Sequence, residues 1–202
     1  MRSQRLSTQL VYLGALIAIA LSASAAQAVP IVSTATLTGP SESPPNASPG
    51  IGFAEVDFDI SAHTMRVQVS FSGLTSATAM AHIHCCTAVP LTGTAGVATT
   101  LPTFPNFPLG VLSGAYDQTF DMTQASSYNP AFVTAAGSIT AAEALLFNNL
   151  FTGREYLNIH TSLFPSGEIR GFLAPVPEPS SLALLGAALA GLGVLRRRRR
   201  KI

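Results

Sequence analysis

The stretch "TMRVQVSFSGL", residues 64–74, decides the fold. Apolar and polar side chains alternate along it, and a period of two places each kind on its own face of a β-strand. Just before it, "GFAEVDFDI", residues 52–60, alternates in the same way. Residues 61–63 suit a tight turn, so the two runs predict an antiparallel hairpin with one buried and one wet face. The apolar set of the first run is Met65, Val67, Val69 and Phe71.

Further strands are indicated downstream. "GAYDQTFDMT", residues 114–123, has the same two-residue period. The segment 155–175 predicts a strand, a turn at Pro165-Ser166-Gly167 and a second strand. Between these regions, "TTLPTFPNFPLGV", residues 99–111, holds three prolines, a density that excludes a central strand. We expect an ordered loop there.

Helical signals are few. Thr140 and Glu143 have the spacing of a capping box, and Asn129-Pro130 also has the form of a helix start. We expect one short helix at the capping box, crossing between strands. Together with the strands, this predicts an all-β fold: an antiparallel immunoglobulin-like or Greek-key β-sandwich with one short crossing helix.

Residues 1–28 have the form of a secretory signal peptide. Positive charge at the start is followed by an apolar stretch, residues 10–21, and by small residues ahead of a cleavage site between Ala28 and Val29. We therefore expect export, with signal peptidase as a processing partner.

The other end of the chain carries a second sorting pattern. An apolar run, residues 182–195, precedes a basic cluster and spans about 21 Å as a helix, short of the roughly 30 Å membrane core. The segment "VPEPSSLALLGAALAGLGVLRRRRRK" resembles the PEP-CTERM sorting signal of Gram-negative bacteria. The resemblance implies transient inner-membrane insertion and cleavage near Pro177, Glu178 and Pro179 by an exosortase-type protease. Release to the cell surface or an exopolysaccharide matrix would follow.

Residues 29–175 form the predicted domain, and residues 176–202 form the predicted sorting signal. Without both ends, the chain keeps three arginines, no lysine and nine acidic residues, a net charge of −6. Such a domain lacks the basic surface of a nucleic-acid binder, so we expect no nucleic-acid partner. The partners that the sorting signal implies are exopolysaccharide or surface components.

The segment "AHIHCC", residues 81–86, holds both cysteines and two of the four histidines. In a strand, His82, His84 and Cys86 share one face. His160 lies on the polar side of its own predicted strand and is the candidate third imidazole. These residues could hold copper or zinc, with Cys86 as an added ligand. The alternative is that the histidines only bond loop backbone at strand ends.

Cys85 and Cys86 are adjacent, and this limits their chemistry. Free exposed thiols are not expected in an oxidising compartment. Neighbouring Cα atoms lie about 3.8 Å apart, however, which is closer than usual for a disulfide. We expect a vicinal disulfide. The alternatives are metal ligation by Cys86, a bridge to a second molecule, or two buried thiols.

"AHIHCC" together with "YLNIHTSLFPSGEIRGFL" is similar to the CHRD domain, named from chordin and common in bacterial secreted proteins. The likeness spans residues 33–173 and implies an immunoglobulin-type sandwich. The His-x-His strand is also similar to the copper strand of copper/zinc superoxide dismutases. That second resemblance implies His82, His84 and His160 as ligands of one copper or zinc ion. The zinc loop of that family is missing from the sequence, so a dinuclear dismutase is not expected.

The sequence shows no Ser-His-Asp or nucleophile-elbow pattern. We therefore expect an exported, non-enzymatic module with a binding or structural role, rather than an enzyme. A small secreted copper or zinc metalloprotein is the alternative. Glu168 is a candidate hydrogen-bond partner behind His160, with a surface pair to Arg170 as the other interpretation.

Overall fold

The computed structural model describes residues 30–177 and 184–191. The predicted signal peptide lies outside the described residues, with its cleavage site at Ala28 and Val29, and so do Glu178 and Pro179 of the sorting signal. Pro177 is described and is exposed.

The described chain forms one antiparallel sheet that curls around a single core. The strands are β1 (Ile31–Thr38), β2 (Ile51–Asp59), β3 (Thr64–Ser72), β4 (Thr78–His84), β5 (Gly114–Asp121), β6 (Tyr156–Thr161), β7 (Ile169–Phe172) and β8 (Ala174–Pro175). Their order across the sheet is β4-β6-β7-β1-β2-β3-β5, and β8 also pairs with β1, at Ser33 and Thr34. The predicted all-β, antiparallel fold class is confirmed.

Strands β2 and β3 form the predicted hairpin. Phe58 pairs with Met65, and Ala54 pairs with Val69. The apolar side chains of β3 are at most 4% exposed, because alternation points all of them to the core. His63, in the turn, has a φ of 54°, the left-handed conformation that tight turns need.

The proline-rich segment closes the open side of the curled sheet, between edge strands β4 and β5. Phe104 donates its backbone N–H to Ala81 O at 3.1 Å, and its ring stacks on Tyr116 with centroids 5.6 Å apart. Phe104 is fully buried. A loop pinned by its aromatic residues, as predicted, therefore completes the core where the strands do not meet.

Within residues 30–177 the structure has two α-helices where the sequence predicted one. They are α1 (Pro130–Ala136), capped by Asn129, and α2 (Ile139–Leu150). Gly137, with a φ of 93°, ends α1 and lets the chain restart at once. The predicted capping box is wrong, because Ser138 accepts the Ala141 N–H at 3.1 Å. Glu143 instead pairs with the turn residue His63, at 2.9 Å.

Residues 184–191, within the predicted membrane segment, are helical and exposed. Over the described ranges, 30–177 and 184–191, no single helix has both the length and the apolarity to cross a membrane. Only α1 and α2 together would meet these two criteria, and they are bent by 91° relative to each other.

Candidate metal centre

The three candidate histidines lie on the outer face of the β4–β6 pair. Met80 pairs with His160, and four residues along, His84 pairs with Tyr156. Because side chains alternate, these residues face away from the core, which takes Ala81 and Ile83 instead. The register of two strands that are distant in the sequence therefore brings His160 to the His-x-His motif.

The imidazoles converge in a buried cluster. His82, His84 and His160 are 2%, 8% and 6% exposed. One ring nitrogen from each lies within 4.8 Å of the other two. His82 Nδ1 and His160 Nε2 are 3.4 Å apart. The predicted candidate set of three histidines is thus brought together by the fold.

One nitrogen of each imidazole ring is hydrogen-bonded to a backbone carbonyl. His82 Nε2 donates to Pro102 O at 2.6 Å, and His160 Nδ1 donates to Pro165 O at 3.0 Å. His84 Nδ1 donates to Ala95 O at 2.9 Å. A carbonyl oxygen can only accept, so each of these nitrogens carries the hydrogen of a neutral imidazole.

The opposite nitrogens of the three rings are therefore the unprotonated ones: His82 Nδ1, His84 Nε2 and His160 Nε2. His84 Nε2 is buried and has no hydrogen-bond partner in the described part of the chain. The 3.4 Å contact between His82 and His160 joins two lone pairs, which repel each other unless a cation lies between them. This arrangement is one that a metal ion would stabilise.

Burial also keeps the rings neutral. It lowers the pKa of His82 to about 4 and that of His84 to about 4, against a smaller opposing effect of the carbonyl hydrogen bonds. Burial lowers the pKa of His160 as well. At neutral pH the lone pairs are therefore free to bind a metal.

The donor set fits copper or zinc. Metal–nitrogen bonds of about 2.0–2.1 Å at tetrahedral angles place ligand nitrogens about 3.3–3.4 Å apart. The His82–His160 separation of 3.4 Å matches this spacing. The carbonyls behind the rings supply the outer hydrogen bonds that fix ring orientation around bound metals.

Cys86 does not join this set. Strand β4 ends at His84, so strand alternation does not continue into the cysteines. The sulfur atoms of Cys85 and Cys86 are bonded to each other in the structure. With Glu155 they form a second cluster, whose ligand atoms lie within 4.8 Å of one another. The expectation of Cys86 as an additional ligand beside the histidines is therefore corrected.

No motif in the sequence indicates that Glu155 lies beside the two cysteines. It is 1% exposed, and its Oε1 has no partner among the described residues. Burial raises the pKa of this carboxyl well above its usual range. Because Tyr156 pairs with His84, an extension of the same register would have placed Glu155 beside Cys85.

Glu168 also differs from expectation. Its carboxylate accepts hydrogen bonds from Ser48, Thr75 and Thr161, so it does not support His160, whose Nδ1 donates to Pro165 O. Glu168 is therefore neither a partner of His160 nor half of a surface pair with Arg170. Its carboxylate instead accepts hydrogen bonds from chain segments at the end of the sheet.

Arg170, the other half of the expected surface pair, is buried instead. Its guanidinium lies 4.7 Å from the ring centroid of Tyr156, and it donates to Gly93 O at 3.0 Å. Tyr156 in turn stacks on His84, with ring centroids 4.7 Å apart and planes at 7°. Arg170 thus fixes the aromatic ring that holds one candidate ligand in place.

Comparison with known protein families matches residues 33–173 to the CHRD domain. The chain belongs to the CHRD family. Residues 175–200 of this CHRD protein match the PEP-CTERM protein-sorting motif. The CHRD and PEP-CTERM resemblances inferred from the sequence are confirmed. No curated protein and no solved structure matches the chain.

The sorting motif places the CHRD protein in an export route. It is an exported protein that passes through the membrane to the cell surface, and an exosortase processes it on the way.

Proposed function

We propose that this CHRD protein acts outside the cell as a binding module whose ligand is one copper or zinc ion, held by His82, His84 and His160. The strongest support for a metal ion here is the 3.4 Å distance between His82 Nδ1 and His160 Nε2. The N–H hydrogen of each ring points away from the other ring and is donated to a backbone carbonyl. Two nitrogen lone pairs that face each other repel when no cation lies between them, and a metal ion bound by both removes the repulsion.

Burial favours binding over catalysis at this centre. The histidines are at most 8% exposed, and the carbonyls that hold them come from loops lying over the sheet face. A catalytic metal needs an open position for water or substrate. A closed site suits metal storage, metal delivery or reinforcement of the fold, which agrees with the expected non-enzymatic role.

Metal analysis of the purified protein tests this proposal. After reconstitution with copper or zinc and removal of excess metal, we expect about one ion per chain. His82→Ala, His84→Ala and His160→Ala should each lose most of it, because three neutral ligands are the minimum for a stable site. His63→Ala is the matched control, since that side chain is 49% exposed and bonds to Glu143.

Two results would overturn the proposal. One is substoichiometric copper and zinc in the reconstituted wild-type protein. The other is an equal loss of metal in the His63 control, which would point to binding by scattered surface histidines.

For delivery, we propose that signal peptidase cleaves before Val29, and that exosortase cleavage near Pro177 releases the domain of residues 29–175. The exposed position of Pro177, two residues after the end of the paired segment β8, supports access by a protease. The mature chain should then appear at the surface or in the exopolysaccharide matrix. Replacing Pro177 and Pro179 by alanine should hold the protein in the membrane fraction; unchanged release would contradict this delivery route.

A further inference from the structure

Met80 lies on the same sheet face as the three histidines. It precedes His82 by two residues on β4 and pairs directly with His160 on β6. Its side chain is half-buried. The other described methionines, Met65 and Met122, are buried in the core, at 2% and 0% exposure. Met80 is therefore the one described thioether beside the histidine cluster.

The register puts the Met80 sulfur within reach. Side chains of directly opposed residues in an antiparallel pair start with Cβ atoms about 4.5–5.5 Å apart. Methionine is unbranched and turns freely about its side-chain bonds, so its sulfur adapts to an irregular site. It can thus approach an ion at His160 Nε2 without any movement of the strands.

Three histidines leave one position of a four-coordinate site unfilled. In the described part of the chain, the cluster of His82, His84 and His160 contains no carboxylate or thiolate. The nearest cysteines belong to the separate cluster with Glu155. A thioether is a soft ligand that favours Cu(I), whereas zinc sites are built from imidazole, thiolate and carboxylate.

We infer that Met80 Sδ is the fourth ligand of the centre, and that the centre selects copper, as Cu(I), over zinc. This inference rests on the proposed function, because it presupposes an ion at the three histidines. It adds a ligand that neither the family nor the histidine pattern supplies, and it narrows the ligand of the module to one metal.

X-ray absorption on the Cu(I)-loaded, selenomethionine-labelled protein tests the inference. Copper–selenium scattering is distinct from the copper–sulfur signal that Cys85 or Cys86 would give. We expect a selenium neighbour of copper in the wild-type protein and in Met122→Leu, but none in Met80→Leu. Leucine conserves the volume of methionine, so both variants should fold.

Affinity gives a second readout. Met80→Leu should weaken Cu(I) binding at least about tenfold in competition with a Cu(I) chelator, while zinc affinity changes by less than about twofold. Met122→Leu should change neither affinity.

The outcomes separate the two claims. Copper bound by nitrogen alone, with no selenium neighbour, would overturn the role of Met80 and leave the histidine site standing. An equal loss of zinc affinity in Met80→Leu would overturn copper selection. Absence of both metals from the wild-type protein would overturn the proposed function itself.

Discussion

Replacing Glu168 should destabilise this protein more than replacing any exposed acid. Glu168 is fully buried, and its carboxylate accepts hydrogen bonds from Ser48 Oγ and Thr161 Oγ1, each at 2.6 Å. It also accepts the Thr75 N–H at 2.5 Å. One side chain therefore ties together the β1–β2 connection, the β3–β4 connection and the end of β6.

The size of the expected destabilisation follows from these three hydrogen bonds. A hydrogen bond to a charged group contributes about 1.5–3 kcal/mol, and removing one member of a buried charged network costs about 3–5 kcal/mol. Glu168→Ala leaves three donors without an acceptor, so we expect a loss of about 3–5 kcal/mol. Glu168→Gln keeps the shape and one acceptor, and we expect about half that loss.

The stabilisation that Glu168 provides depends on pH, and its pKa gives the direction of the change. Burial alone would raise the pKa of Glu168, but the hydrogen bonds from Ser48, Thr161 and Thr75 outweigh burial and lower it. A folded-state pKa below the unfolded value stabilises the protein fully above the unfolded pKa of about 4.3. That stabilisation is lost as the pH falls through the folded pKa. Glu168→Gln should remove this component of acid sensitivity.

Urea denaturation at pH 7, repeated down to pH 3, measures both effects. Asp117→Asn is the control, because Asp117 pairs with Arg66 at the surface, where solvent and salt screen the pair and its loss should change stability little. Equal urea midpoints for Glu168→Ala and the Asp117 control would show that the buried hydrogen bonds of Glu168 do not stabilise the fold.

Three further predictions concern stability. Acidification from about pH 7 to 5 should lower the melting temperature of the metal-free protein, because two site histidines have folded pKa values of about 4 and the unfolded chain then binds more protons; a flat melting profile would count against it. Gly171→Ala should cost at least about 2 kcal/mol in chemical denaturation, because a Cβ there would meet the backbone oxygen of Thr36 across β7 and β1; wild-type stability would contradict this close approach. Leu146→Ala should cost about 2–5 kcal/mol, against less than about 1 kcal/mol for Leu145→Ala on the exposed side of α2; similar values would show that α2 does not pack as described.

The parts of the fold that the sequence predicted are those set by local alternation. The apolar period of β3 places its core residues, and the same rule gives the β2–β3 hairpin, since only a short turn separates the strands. Helix α2 shows the limit of local rules. Ser138 and Thr140 can both cap a helix, and the restart after Gly137 decides between them.

The candidate site depends on long-range register. Pairing of Met80 with His160 joins residues from strands that are far apart in the chain, and alternation within either strand cannot specify it. The carbonyls of Pro102 and Ala95 come from a loop whose path has no periodic signal. Residue types therefore indicated the candidate ligands, while their convergence and the unprotonated nitrogen of each ring needed the structure.

Anomalous diffraction at the copper and zinc edges, from crystals of the metal-reconstituted protein, would locate any ion held by the three histidines. We predict one peak about 2.0–2.1 Å from His82 Nδ1, His84 Nε2 and His160 Nε2. A peak at Cys85, Cys86 and Glu155 instead, with none at the histidines, would contradict the account.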